Sequence, residues 1–117
     1  MESLMENNLD ALNTSYNAAL DKMEALLEEA LEALSSPDDS EEHLVATCQA
    51  HKARLWEFYN EVDATIKHYT PQFKKRKCKD AIIWVSASTI LLEFAELRLK
   101  VVQHIKHAQD TLHKLYN

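Results

Sequence analysis

Cys48 and His51 stand three residues apart, and so do His104 and His107. On a helix that spacing puts both side chains of a pair on one face, and thiolate with imidazole is a donor set for zinc. The geometry of a helical hairpin opposes combining the two pairs. If the chain turns back at Thr70, Cys48 faces about residue 92, and His104 lies roughly 18 Å further along at 1.5 Å per residue. No metal site is expected, and His51 reads as a histidine at the edge of a core. The same register places Cys78 opposite about Val62, too far along the bundle from Cys48 for a disulfide.

Nucleophilic chemistry finds less support. Ser15, Ser35, Ser36, Ser40, Ser86 and Ser88 have no base placed beside them by any motif. The chain contains no glycine. Gly-rich phosphate loops, nucleophile elbows and dinucleotide fingerprints all need glycine at fixed positions. No catalytic residue, cofactor or small-molecule substrate is expected, and the chain reads as a non-enzyme. Ser35 and Ser36 each precede an aspartate by three residues, and Ser36 and Thr70 each precede a proline. These are acceptor patterns for phosphorylation, but a plain helix cap is the simpler role for both Ser36 and Thr70.

Lys74, Lys75, Arg76, Lys77 and Lys79 put five positive charges into six residues. Such a run fits nuclear import or a phosphate-binding patch. Its setting is acidic, however. Residues 1–42 hold twelve acids and one base, a net −11, against twelve bases and seven acids over 43–117, a net +5. Phosphate binding scales with the charges neutralised, so a nucleic-acid partner ranks second to attraction between the two halves of one fold.

Two cysteines, an acidic N-terminus and the absence of a long apolar run fit a reduced, intracellular, cytoplasmic or nuclear protein. The longest uncharged run, Ala81–Leu92, is well short of the roughly 20 residues that span a bilayer.

The elements follow from periodicity. The chain has 117 residues, one domain's worth, with only Pro37 and Pro71 as breakers. A first helix over about 2–34 is predicted from the 4-3 spacing of Met5, Leu9, Leu12, Tyr16, Ala19, Met23, Leu26, Ala30 and Ala33. Leu20, Leu27, Leu31 and Leu34 widen its stripe toward a second neighbour. A second helix over about 37–69 follows, capped by Ser36 with Pro37 in the first turn, or by Ser40. Its seam is Leu44, Cys48, His51, Leu55, Phe58, Val62, Thr65 and Tyr69. A third helix is predicted over about 71–115, capped by Thr70 and opened by Pro71.

The third helix contains AIIWVSASTILLEF, residues 81–94, with one charge in fourteen residues. Trp84, Ala87, Leu91 and Phe94 form its seam, yet Ile82, Ile83, Val85, Ile90 and Leu92 lie outside that seam and are apolar too. A helix apolar on nearly all sides must be covered on nearly all sides, so this stretch is expected at the centre. The fold class is all-α, an antiparallel three-helix bundle, up-down-up, with coiled-coil-like packing. In length and helix count this is similar to spectrin-type repeats and adaptor bundles, and no residue carries over from them.

If the third helix starts at Pro71, residues 101–117 overhang the other two helices by roughly 24 Å. Val101, Ile105, Ala108, Leu112 and Leu115 would then form an apolar seam without a neighbour in the same chain. That seam is the expected docking site for a protein partner, either a second copy or another subunit. A start at Asp80 would remove the overhang but needs a ten-residue loop, longer than the 2–8 residues usual between bundle helices. The expected function is a non-catalytic interaction module, a helical adaptor or a subunit of a larger assembly. The alternative is a nuclear nucleic-acid-associated factor acting through residues 74–79.

Overall fold

A computed structural model of the chain describes residues 2–74 and 78–116. Among them are three α-helices: α1 (Glu2–Leu34), α2 (Glu41–Tyr69) and α3 (Ala81–Tyr116), with a one-turn 3-10 segment at Thr70–Phe73. No described residue is in a β-strand. All three predicted seams lie inward, every member of each being buried or half-buried. Leu12, Leu55, Phe58, Val62, Ala87, Phe94 and Val101 are the most deeply enclosed.

The ends of α2 and α3 correct two predictions. Helix α2 begins at Glu41, not near Pro37, because Ser40 is the cap: its hydroxyl accepts from the His43 amide at 3.2 Å. Ser36 and Asp38 serve the turn before it, accepting from the Asp38 and Ser40 amides respectively. Glu41 and Glu42 then occupy the first turn, where the helix dipole favours acids. His43 also places Nε2 3.0 Å from the Ala33 carbonyl oxygen, which ties the end of α1 to the start of α2.

Helix α3 begins at Ala81, not at Pro71. Thr70 does not cap it: the Thr70 hydroxyl and amide both donate back to the Ile66 carbonyl, ending α2 instead. Asp80 is the cap, with Oδ1 accepting from the Ile82 and Ile83 amides at 2.9 and 3.4 Å. The connection costs less than its length implies, because it is anchored by its own apolar residues. Phe73 and Cys78 are 3% and 4% exposed, inside the core. The Cys78 amide bonds to the Lys74 carbonyl at 3.0 Å. Ser86, Ser88 and Thr89 do not break α3, and the Thr89 hydroxyl donates to the Val85 carbonyl one turn back.

That start removes the overhang. Val101, Ile105, Ala108 and Leu112 are buried within the chain, between 0 and 7% exposed, and Leu115 is half-buried. A ten-residue shift in where α3 begins moves its last third from beyond the other helices to between them. Lys22 of α1 meets Glu61 of α2 at 2.6 Å, and Glu29 meets Arg54 at 3.4 Å. Between α2 and α3, Asp63 meets Arg98 at 2.7 Å, Lys52 donates to Gln109, and Gln49 donates to the Tyr116 hydroxyl at 2.9 Å. The molecule is a rod, 58 × 23 × 16 Å along its principal axes. Its radius of gyration, 18.2 Å, exceeds the roughly 13 Å of a sphere-like domain of this length.

Candidate interaction surface

Of the residues assigned to chemistry, the structure brings one set together that sequence spacing had kept apart. Cys48, His51, His104 and His107 all line one apolar cavity of about 280 Å³ where the end of α1, the start of α2 and the end of α3 meet. Ala30, Leu34 and Leu44 complete much of its wall. Cys48 and Thr111 line the same cavity, so Cys48 lies near a part of α3 well beyond residue 92. Co-lining is not coordination. Among the described residues, no group of three His, Cys, Asp or Glu side chains could hold a metal ion.

Two of the groups lining the cavity have displaced protonation equilibria. Burial pushes the Cys48 thiol above its ordinary value, which disfavours the nucleophilic thiolate. Burial, then the nearby His104 and Arg54, hold His51 below its ordinary value against a smaller opposing effect of Glu29. Cys48 and Cys78 are free thiols.

The basic run contributes less to the described surface. Lys74 and Lys79 are exposed, and Lys75, Arg76 and Lys77 lie outside the described residues. Elsewhere some charges are matched locally. Asp63 accepts from Lys67 at 2.8 Å and from Arg98 at 2.7 Å, and these two partners, Lys67 first, hold its carboxyl below the usual carboxylate range.

The surface that stands out is the outer face of α3, which sequence reasoning had placed under cover. Ile82, Val85, Leu92 and Leu99 are 78, 55, 68 and 58% exposed, and Val102 is also exposed. They lie opposite the buried column of Ile83, Ala87, Phe94 and Val101. Val85, Leu92 and Leu99 are spaced seven and seven, so at 3.6 residues per turn they stay in line along the helix. From Val85 to Leu99 the row runs about 21 Å at 1.5 Å per residue, with Ile82 and Val102 on either side of it. Single exposed apolar residues need no explanation, but an aligned row of this length does. In the sequence the signal is a second heptad column in α3, which apolar character alone does not distinguish from core.

Helix α1 carries a lesser set. Leu20, Leu31 and Leu34, expected to face a second neighbour, are 41, 64 and 53% exposed, and Leu27 is half-buried. Glu24, Glu28 and Glu32 interrupt this set.

No described helix is long and apolar enough to cross a membrane. No protein family, no curated protein and no solved structure matches the chain.

Proposed function

We propose that the chain is a non-catalytic protein–protein interaction module, a helical adaptor or a subunit of a larger assembly. It is built as an up-down-up antiparallel bundle with coiled-coil-like packing, and it engages its partner through the outer face of α3. The up-down-up order is supported by the cross-helix bonds. Going from Lys22 to Glu29 in α1, the partners in α2 go back from Glu61 to Arg54. Going from Gln49 through Lys52 to Asp63 in α2, the partners in α3 go back from Tyr116 through Gln109 to Arg98.

The observation that carries the interaction reading is the row of Val85, Leu92 and Leu99, exposed on the side of α3 away from its own bundle. Water contact along such a row is unfavourable by about 25 cal/mol per Å² of apolar area. A partner helix with its own apolar stripe would remove that cost, seating side chains from one helix between those of the other. This face replaces Val101, Ile105, Ala108, Leu112 and Leu115 as the docking surface, since those residues already serve the intramolecular core.

The test is a triple variant, Val85→Ser with Leu92→Ser and Leu99→Ser. Its helicity and unfolding midpoint should match the parent, and proteins retained by the parent from its source should be missing from the variant. Identical retained proteins on both baits, with both folded, would remove the outer face of α3 as the interaction surface.

A further inference from the structure

We infer that the partner of this stripe is a second copy of the chain, its α3 packed against the first α3 in the opposite direction. The inference rests on reading the outer face of α3 as an interaction surface and names its occupant. Take Val85, Leu92 and Leu99 as one column. The residues three further on, Ser88, Ala95 and Val102, form the adjacent column of a heptad seam. The first column is bulky, and the second is small except at Val102.

An antiparallel pair turns that asymmetry into fit. With Leu92 set opposite Ala95 of the second copy, Leu99 falls opposite Ser88 and Val85 opposite Val102. The two-fold axis repeats each layer in reverse. Every bulky leucine then meets a small residue, which lets the layers interlock and the helices approach closely. A parallel pair would stack leucine on leucine and serine on serine, leaving gaps at the small layers.

Charge selects the same arrangement. Lys106 follows Leu99 by seven residues and continues the bulky column, whereas Asp80 precedes Ala87 by seven, in line with the buried column, and its carboxylate is held by the Ile82 and Ile83 amides. In the antiparallel register Lys106 of each copy falls opposite Ala81 of the other, at both ends of the seam. A parallel register would bring Lys106 to Lys106, and like charges so placed act against association. Glu96 falls at the margin of the seam, and Lys100 follows it by four residues on the same helix. The contact is isologous and closes on itself, so it yields a dimer and not a filament. One helix pair buries less than the roughly 1,600 Å² of a standard interface, so the dimer should exchange with monomer at roughly micromolar concentration.

Two experiments decide it. Sedimentation of the natural chain over a range of concentrations should show twice the chain mass at the upper end. The triple serine variant should dissociate at least about tenfold more readily. A natural chain that stays monomeric throughout overturns the self-pairing. Loss of a different retained protein in the triple variant would in that case leave the interaction-module reading standing, and unchanged retention would remove both.

Orientation is read by oxidation in a background with Cys48→Ser and Cys78→Ala, checked for helicity. Val85→Cys alone and Val102→Cys alone should not crosslink, whereas an equal mixture of the two should give a covalent dimer. Crosslinking of Val85→Cys with itself would mean a parallel pair and overturn the proposed geometry.

Discussion

At the scale of single residues, the clearest consequence concerns His51. It lies in the cavity at the end of the bundle, and burial first, then His104 and Arg54, hold its pKa below the ordinary value of 6.5. In the unfolded chain the imidazole takes up its proton near 6.5, and in the folded chain only at lower pH. Proton uptake therefore favours the unfolded state, and the stability present above about pH 6.5 is lost as pH falls through the folded value. Unfolding midpoints measured between pH 8 and pH 5 should fall on the acid side of that window. His51→Gln should flatten this limb, and an unaltered acid limb in that variant would assign the effect to other groups. Asp63 acts in the other range. Held below 3.8 by Lys67 and Arg98, it contributes stability above 3.8 that is lost as pH falls through its depressed value. Arg98→Met should lower the midpoint at pH 7 by more than it does well below pH 3.8, where less of that contribution remains.

At the scale of elements, the two columns of α3 should behave oppositely. Leu112 and Ile105 are 6% exposed and lie in the column that faces α1 and α2. Ile105→Ala and Leu112→Ala should each cost about 2–5 kcal/mol in denaturant unfolding, as large-to-small core changes do. Leu92→Ala, at 68% exposed, should stay within about 0.5 kcal/mol of the parent when measured at concentrations where the chain is monomeric. Equal costs for Leu112 and Leu92 would remove the assignment of inner and outer faces. The helix start is tested by Asp80→Ala, which should cost about 0.5–2 kcal/mol through loss of the bonds to the Ile82 and Ile83 amides. These contrasts also explain what the sequence could reveal. The three inward seams were legible because a 4-3 repeat over many turns has one physical solution. The start of α3 was not, because Thr70-Pro71 and Asp80 are both competent caps. What decides between them is tertiary: Phe73 and Cys78 fit into the core and hold the connection. The candidate surface was missed for a related reason, since hydrophobicity marks a residue as coverable and does not say which chain covers it.

At the scale of the whole molecule, the three helices have comparable lengths, 33, 29 and 36 residues. At 1.5 Å per residue these are about 50, 44 and 54 Å, close to the long dimension of the rod. No helix therefore has a free third. The end of α3 is held by Lys52 on Gln109 and Gln49 on Tyr116, and its inner column includes Ile105, Ala108 and Leu112. Across from it, α1 supplies Ala30 and Leu34 and α2 supplies Leu44 and Cys48 to the same region. Ending the chain after Lys100 would strip this region of its third helix and expose apolar residues of the other two. It would also leave the outer stripe from Ile82 to Leu99 intact in sequence. The shortened chain should lose cooperative unfolding and much of its helicity, because the remaining helices cannot cover their seams alone. Circular dichroism with a thermal scan measures this directly. A shortened chain with a sharp transition near the parent's midpoint would mean that residues 101–116 project from the bundle after all. The docking role would then return to Val101, Ile105, Ala108, Leu112 and Leu115.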